Sequence, residues 1–284
     1  MPKISSLEFD VFRKYIFEIS GITLGDGKEY LVETRLNPIL RKLQCVSYSE
    51  LYYKAKRDKQ LEEEVVDAIS TNETSFFRDI LPFELLQYKI IPDLIDKRTA
   101  STRMMKKIPI RIWSAGCSTG QEIYSIAFTL EAIGLDSRKY DIQLYGTDVS
   151  NAAVAKASYG LYSNFELSRG LSRQQVEQFF DRADDHNWKV KEKYRWLASF
   201  ETNNIFDVSF GHNSFDIVFC RNVGIYFAPD DRKRMYQKLC DVLTRDGYLI
   251  IGSTESLTYD TRLFIPQKYL RTVFYQPNPD AMAG

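Results

Sequence analysis

The sequence predicts an α/β domain built on a mostly parallel sheet and preceded by a small all-α amino-terminal domain. From Ile108 onward, short apolar runs alternate with helical segments, a pattern typical of parallel strands joined by helices. Before residue 75, apolar side chains recur only at helical spacing. We therefore assign residues 1–78 to the helical domain, 79–107 to a linker and 108–284 to the sheet domain.

Four strands and three helices are expected in the sheet domain. The strand candidates are short apolar runs: Ile110–Ala115, Gln143–Thr147, Phe215–Cys220 and Tyr248–Gly252. Helices are expected between them, at about 121–133, 151–158 and 230–243. Near the carboxyl end, Leu263–Ile265 and Thr272–Tyr275 flank a turn without a helix, which predicts an antiparallel hairpin.

The region after the second helix interrupts this alternation. Leu171–Phe180 is predicted as a short helix, and two runs rich in aromatic residues and lysine follow, Trp188–Tyr194 and Trp196–Phe200. We expect these two runs to pair as a hairpin, and so predict a small inserted β-subdomain at about 181–203. The polar run Lys97–Arg103 is predicted as an exposed loop.

Composition and charge narrow the functional classes. The 38 basic and 38 acidic side chains balance, so global charge gives no reason to expect a nucleic acid or an anionic membrane as partner. The amino terminus lacks the apolar core of a signal peptide, and no apolar run could cross a bilayer, so we expect a cytoplasmic protein without membrane insertion. The four cysteines form no zinc spacing and only two histidines are present, so no metal site is predicted.

Two motifs at strand ends indicate a nucleoside-containing ligand. Small residues, Gly116 among them, follow the first strand and lead to Glu122 at the start of a helix, where backbone N–H groups lack partners. Asp148 ends the second strand, where an acidic side chain can bind both hydroxyls of a ribose. A tight strand–helix turn and a helix cap are the alternative explanations. Together the two motifs favour an adenosine-containing cofactor.

Two further motifs carry polar side chains. The third strand delivers Arg221 at its carboxyl end and Tyr226 shortly after it, where ligands of parallel sheets bind; a surface ion pair is the alternative for Arg221. Before the sheet, Asn72, Thr74 and Arg78 surround two phenylalanines. Here the simpler explanation is an N-cap followed by an amphipathic helix that places residues 74 and 78 on one face.

These four motifs, in this order, resemble those of the CheR family, the chemotaxis receptor glutamate methyltransferases. Asn72–Arg78 resembles the family's Asn-x-Thr-x-Phe-Phe-Arg, and Trp113–Gly120 its Trp-Ser-Ala-x-x-Ser-Thr-Gly. Thr147-Asp148 resembles its strand end, and Phe219–Phe227 its Phe-Cys-Arg-Asn-Val-x-Ile-Tyr-Phe. The resemblance covers nearly the whole chain.

The resemblance implies a Rossmann-like S-adenosylmethionine methyltransferase domain, with a small inserted β-subdomain, after an all-α domain. It implies methyl transfer from S-adenosylmethionine to glutamate side chains of methyl-accepting chemotaxis receptors, which yields glutamate methyl esters and S-adenosyl-L-homocysteine. The partner would be the cytoplasmic helical domain of these receptors, and we expect a monomer.

The resemblance also implies site residues. Those implied in cofactor binding are Asn72, Thr74, Arg78, Gly116, Glu122, Asp148, Asn204, Ile205 and Arg221. Arg221 and Tyr226 would be catalytic. Arg35, Arg41 and Lys42 on an early helix would dock the acidic receptor helix, with solvated helix charges as the alternative. A glutamate is already ionised at neutral pH, so the reaction needs no general base.

The chain departs from the family pattern in three places. Gly120-Gln121-Glu122 keeps only the second of two usual acids, and Gly252–Glu255 lacks the usual histidine. Arg182–Asn187 lacks the glycines with which some members dock a receptor tail peptide, so tail docking is not predicted.

Three other functions stay open at this point. An NAD-dependent oxidoreductase is disfavoured because the sequence lacks Gly-x-Gly-x-x-Gly at the first strand end. A non-catalytic S-adenosylmethionine-binding sensor or scaffold would keep the fold without turnover. A methyltransferase acting on another protein or on a small molecule would keep the chemistry and change the substrate.

Overall fold

The computed structural model describes residues 2–101, 107–135, 138–257 and 260–281. The amino-terminal part forms four helices: α1 (Ser6–Ser20), α2 (Glu29–Lys42), α3 (Tyr48–Ala55) and α4 (Lys59–Ile69). Their apolar faces meet in a core of their own, in which Phe12, Val32 and Leu36 are fully buried. The prediction of an all-α amino-terminal domain is confirmed.

Side-chain caps explain where three of these four helices begin. Ser5 and Glu8 form a reciprocal capping box at the start of α1, and Ser47 accepts a hydrogen bond from the N–H of Glu50 at the start of α3 (3.2 Å). Asp58 caps α4 in the same way. Each cap satisfies backbone N–H groups that the first turn of a helix leaves without partners.

The segment predicted as a linker is largely helical. It contains α5 (Leu81–Leu85), a π-helical turn (Leu86–Ile90) and α6 (Ile91–Ser101), and its apolar side chains pack in the core of the sheet domain. Arg98 of α6 pairs with the buried Asp216, so the prediction of an exposed loop was wrong for residues 97–101. Thr102 and Arg103 lie outside the described residues.

The rest of the described chain contains ten strands and six further helices. The strands are β1 (Ile108–Ala115), β2 (Tyr140–Asp148), β3 (Leu161–Ser163), β4 (Phe180–Arg182), β5 (Asn187–Val190), β6 (Ala198–Thr202), β7 (Phe215–Cys220), β8 (Leu243–Ile251), β9 (Phe264–Tyr269) and β10 (Thr272–Pro277). The helices are α7 (Gln121–Ile133), α8 (Asn151–Tyr159), α9 (Asn164–Ser168), α10 (Arg173–Phe179), α11 (Glu192–Arg195) and α12 (Pro229–Val242).

The main sheet has seven strands in the order β6-β2-β1-β7-β8-β10-β9. Its first five strands run parallel, whereas β10 runs antiparallel to β8 and forms a hairpin with β9. All six residues of β7 are buried. Ile217 and Phe219 belong to one core cluster, and Val218 and Cys220 to another, so both faces of the sheet are covered. The predicted parallel α/β sheet and the terminal hairpin are confirmed.

A second, three-stranded antiparallel sheet has the order β3-β5-β4. The predicted hairpin between Trp188–Tyr194 and Trp196–Phe200 is wrong, because β5 lies in this small sheet whereas β6 pairs with β2 at the edge of the main sheet. The two runs do contain strands, although Glu192–Arg195 at the end of the first run is helical. Aromatic content does not determine which distant strand becomes the partner.

A helix needs sufficient length and an apolar composition to cross a bilayer. Across the ranges that the structure describes, none of the helices combines the length and the apolar composition needed for a membrane-spanning segment.

Candidate active site

An open cleft lies at the carboxyl ends of β1, β2 and β7, where the strand order leads away in opposite directions from β1. The empty space in and directly above the cleft, including the part open to solvent, is about 1090 Å³. The residues predicted from the sequence that line it are Asn72, Thr74, Arg78, Gly116, Glu122, Asp148, Ile205, Arg221 and Tyr226. Segments that are far apart in the chain therefore converge on one site.

Four predicted residues lie elsewhere. Asn204 does not line the cleft: its Oδ1 accepts a hydrogen bond from the N–H of Phe206 (3.1 Å), and the neighbouring Asn203 lines the cleft in its place. The three residues predicted to dock the substrate lie on α2, outside the cleft lining: Arg35, Arg41 and Lys42. Arg41 and Lys42 are exposed, whereas Arg35 is half-buried.

The loop after β1 approaches the cleft through its backbone. Gly116 has a φ of +79°, and a Cβ on it would lie 2.5 Å from Cγ2 of Val223, so only glycine fits without a shift. The N–H groups of Gly116 and Cys117 both donate to the carbonyl of Thr147 (2.8 and 2.9 Å). Burial raises the pKa of the Cys117 thiol well above its usual value, so this cleft residue stays protonated. The tight-turn explanation is correct for the backbone, and the same turn also lines the cleft.

Asp148 is buried at the end of β2. Its carboxylate accepts hydrogen bonds from the N–H of Ser118 (2.8 Å) and the N–H of Ser150 (3.0 Å). Burial raises the pKa of this carboxyl, and the backbone N–H donors partly oppose the rise. The cap of α8 is Ser150, which accepts from the N–H of Ala153 (3.1 Å), so the helix-cap alternative does not account for Asp148.

Arg221 is buried and joins three parts of the cleft wall. Its Nη1 lies 2.9 Å from Oε2 of Glu122, and its Nη2 lies 3.0 Å from Oδ2 of Asp79. The same Nη2 donates to the carbonyl of Arg78 (2.8 Å). Oε1 of Glu122 accepts a further hydrogen bond from Ser114 (2.7 Å). The surface-ion-pair alternative is wrong, because only 3% of the Arg221 side chain is exposed.

Residues 70–79, which we call the strap, cross the cleft without forming a helix. The predicted amphipathic helix over 74–78 is wrong, because Phe77 and Asp79 adopt left-handed conformations, with φ of 48° and 54°. Phe76 packs edge-on against Tyr162 in the core of the sheet domain. The strap thus follows the packing of its aromatic side chains rather than a helical repeat.

Tyr226 ends a 3₁₀ turn, Gly224–Tyr226, that follows β7. The turn is held by the loop between α1 and α2. The N–H of Thr23 donates to the carbonyl of Tyr226 (2.9 Å), and the Thr23 hydroxyl accepts a hydrogen bond from the N–H of Ala228 (3.3 Å). The amino-terminal domain therefore contacts the turn that carries the predicted catalytic tyrosine.

Sequence reasoning missed several residues of the cleft. Ser20 and Ile22 of the amino-terminal domain line it, and no sequence signal identifies them because their position depends on how the two domains pack. Asn222 also lines the cleft, and its Oδ1 is buried without a hydrogen-bond partner among the described residues. Asn222 directly follows Arg221 in the motif Phe219–Phe227, so the sequence did carry a signal for it.

Comparison with known proteins gives two family models that match consecutive parts of the chain. The model "CheR methyltransferase, all-alpha domain" matches residues 7–70, and the model "CheR methyltransferase, SAM binding domain" matches residues 72–272. The boundary between the two matches falls within the strap, where the helical domain gives way to the cleft.

The chain is also similar to several curated proteins over most of its length. A chemotaxis protein methyltransferase of Vibrio parahaemolyticus is 38% identical over 261 residues, which are 90% of this chain and 91% of the relative. The chemotaxis protein methyltransferase Cher2 of Pseudomonas putida is 36% identical over 257 residues, 89% of this chain and 91% of the relative. A chemotaxis protein methyltransferase of Borreliella burgdorferi is 32% identical over 270 residues, 93% and 92% of the two chains.

Proposed function

This chain belongs to the CheR methyltransferase family, and we propose that it methylates glutamate side chains of methyl-accepting chemotaxis receptors. The methyl donor is S-adenosylmethionine. With a glutamate substrate, the products would be glutamate methyl esters and S-adenosyl-L-homocysteine. Relatives named chemotaxis protein methyltransferases support the chemotaxis role. Receptor methylation would serve sensory adaptation.

The cleft fits an S-adenosyl group by shape and by chemistry. The loop at Gly116 exposes backbone to the cleft at a position where a side chain would collide with Val223, and the buried Oδ1 of Asn222 offers an unused hydrogen-bond acceptor. We propose that Asp148 holds the ribose, that Glu122 and the strap residues Asn72, Thr74 and Arg78 line the methionine side, and that Ile205 lies near the adenine. Asn204 would support this end through the backbone.

The observation that carries the proposal is the absence of a free general base from the cleft. No histidine is found among the described residues that line it, and its carboxylates already have partners: Glu122 binds Arg221, Asp148 binds backbone N–H groups and Glu73 pairs with Arg169. The bound cofactor supplies an activated methyl group. A glutamate nucleophile, with a usual pKa of about 4.3, needs no base at neutral pH, whereas a hydroxyl nucleophile would need one.

Tyr226 and Arg221 would then contribute by position. Tyr226 is half-buried at the cleft and would orient the incoming carboxylate by a hydrogen bond. Arg221 is occupied by Glu122 and Asp79, so it would hold the cleft wall rather than pair with the nucleophile and blunt it. Rate enhancement would come mainly from alignment and from exclusion of water.

The docking surface would lie on α2. Arg41 and Lys42 are exposed there, and Lys42 pairs with Glu64 of α4 across the surface (2.9 Å). An exposed pair of this kind contributes little stability and can exchange partners, so both cations suit a negatively charged receptor helix. The partner would be the cytoplasmic helical domain of the receptor, met by a monomeric enzyme.

A methyl-labelling experiment tests this proposal. The purified protein is incubated with S-adenosylmethionine labelled in the methyl group and with membranes that contain a chemoreceptor. We expect base-labile label on the receptor band, released as methanol, and none on a receptor whose methyl-accepting glutamates are replaced by alanine. Cofactor binding without labelling would contradict the receptor substrate and favour a non-catalytic sensor or another target.

A further inference from the structure

Arg35, which the sequence placed among the docking cations of α2, turns its guanidinium into the protein. Its Nη1 donates to the carbonyls of Ile69 (2.8 Å) and Ala68 (3.3 Å) and closely to that of Ser70. Its Nη2 donates to Oγ1 of Thr71 (2.9 Å). One side chain thus binds three consecutive carbonyls at the end of α4 and the hydroxyl of Thr71, the residue that follows them.

This arrangement determines where α4 ends. The last carbonyls of a helix have no partners inside the helix and carry the negative end of its dipole, so a cation stabilises them. A planar guanidinium can bind several carbonyls at once, which the single ammonium of a lysine does less well. Arg35 therefore fixes the direction in which the chain leaves α4.

The chain that leaves α4 enters the cleft at once. Ser70, Thr71 and Asn72 all line it. The carbonyl of Asn72 accepts a hydrogen bond from Oγ of Ser118 (3.1 Å), and the N–H of the same Ser118 donates to Asp148 (2.8 Å). Two hydrogen bonds, joined through Ser118, therefore link Asn72 of the strap to the proposed ribose-binding carboxylate.

A second contact holds the same end of α4 against the sheet domain. Oδ1 of Asp67 accepts hydrogen bonds from Oγ of Ser150 (2.7 Å) and from the N–H of Ala152 (3.2 Å) at the start of α8. Oγ of Ser70 in turn donates to the carbonyl of Asp67 (3.0 Å). The end of α4 is thus packed between α2 and the cleft, with Arg35 on the α2 side.

We propose that Arg35 is a positioning residue for cofactor binding, which holds the start of the strap in the cleft from helix α2. The proposal needs only the S-adenosylmethionine site and does not depend on the receptor as substrate. It assigns Arg35 a role different from that of Arg41 and Lys42, which lie later on the same helix.

Cofactor affinity measured without any receptor tests the assignment. S-adenosyl-L-homocysteine is titrated calorimetrically into the full-length protein and into Arg35→Ala, Arg35→Lys and Arg57→Ala. We expect Arg35→Ala to weaken binding by about tenfold, because charged hydrogen bonds to the strap are lost. Arg35→Lys keeps the charge but loses the planar guanidinium that binds several acceptors at once, so we expect it to weaken binding by a smaller factor, about threefold. Arg57→Ala removes an exposed cation of the same domain outside the cleft and should leave the affinity unchanged.

The stoichiometry separates positioning from loss of folded protein. A positioning role raises Kd at an unchanged number of sites, whereas partial unfolding lowers the number of sites at an unchanged Kd. Unchanged Kd in both Arg35 variants, with a raised KM for the receptor alone, would overturn the proposal and return Arg35 to the docking surface. If Arg35→Ala does not fold, Arg35→Lys and Thr71→Val provide the same test, because Thr71→Val removes the hydroxyl that accepts from Nη2 of Arg35. A wild-type Kd in both of these variants would overturn the proposal.

Discussion

At the scale of single residues, burial and hydrogen bonding oppose each other at Asp148. Burial raises the pKa of this carboxyl from an ordinary 3.8, and backbone N–H donors lower it again by a smaller amount. Ribose hydroxyls would add donors that favour the ionised form. We therefore expect Asp148→Asn to weaken binding of S-adenosyl-L-homocysteine by about 10- to 100-fold in calorimetry. Unchanged affinity would remove Asp148 from the ribose site.

The raised pKa of Asp148 also predicts a pH dependence. A raised pKa means that the folded chain holds the proton more tightly than the unfolded chain, so this group's stabilisation is present below pH 3.8 and is lost as pH rises through the raised pKa. Cofactor affinity should change with pH in the opposite direction and increase as pH rises, because binding needs the ionised carboxylate. On acidification from neutral pH towards the raised pKa of Asp148, affinity should fall in the wild type and stay flatter in Asp148→Asn. Equal slopes would assign the dependence to another group.

Tyr226 differs from Asp148 because its predicted role concerns the substrate carboxylate and not the cofactor. Replacing it by phenylalanine removes one hydroxyl and preserves the ring. We expect Tyr226→Phe to lower kcat by about 10- to 100-fold while the Kd for S-adenosyl-L-homocysteine changes by less than about twofold. The opposite pattern, weak cofactor binding with normal turnover, would place the hydroxyl at the cofactor.

At the scale of elements, the strap depends on the loop between α9 and α10. A Cβ on Gly170 would lie 1.9 Å from the carbonyl oxygen of Phe76, so the strap and this loop are in direct backbone contact. Gly170→Ala must push the two apart, and we expect a loss of about 1 to 3 kcal/mol in the free energy of unfolding by urea. Cofactor affinity should weaken as well, because Phe76 lies between Thr74 and Arg78 of the cleft.

Gly25 provides the matched control for this change. A Cβ there would meet nothing within 4 Å, and its backbone has no left-handed φ. Gly25→Ala should leave both stability and cofactor affinity within error of the wild type. Equal effects of the two substitutions would show that the loop does not support the strap.

Elements also show what the sequence can and cannot predict. Local periodicity correctly predicted the helices between the main strands and the buried strands themselves, including Phe215–Cys220 at its observed bounds, because side-chain burial follows the geometry of each element. It did not predict α5 and α6, which lie in the segment expected to be a linker. It failed for Ala198–Thr202, whose partner β2 lies more than fifty residues earlier, and for the strap, whose left-handed residues follow tertiary packing. The inward orientation of the Arg35 side chain could not be predicted from the sequence either, because its partners lie 33 to 36 residues away.

At the scale of the whole molecule, the cleft is a site that two domains share. Motif residues indicated its sheet-domain wall, whereas the contribution of Ser20 and Ile22 emerged only from the way the helical domain packs. The two domains meet on two sides of the cleft: at the strap and the end of α4, where Asp67 contacts the start of α8, and at Thr23 against the Tyr226 turn. A ligand in the cleft should therefore stabilise both contacts together, since binding that favours one closed arrangement shifts its population.

Hydrogen exchange can test this shared response. The N–H of Thr23 is bonded to the Tyr226 carbonyl, so closure around S-adenosyl-L-homocysteine should slow its exchange as well as that of Ser118 inside the sheet domain. Amides of the α3–α4 turn, such as Arg57, which is bonded within its own helical domain, should exchange at the same rate with and without ligand. Slowing confined to the sheet domain would show that the helical domain does not respond to the cofactor. Slowing at Thr23 would show that cofactor binding reaches the domain that carries the proposed docking helix.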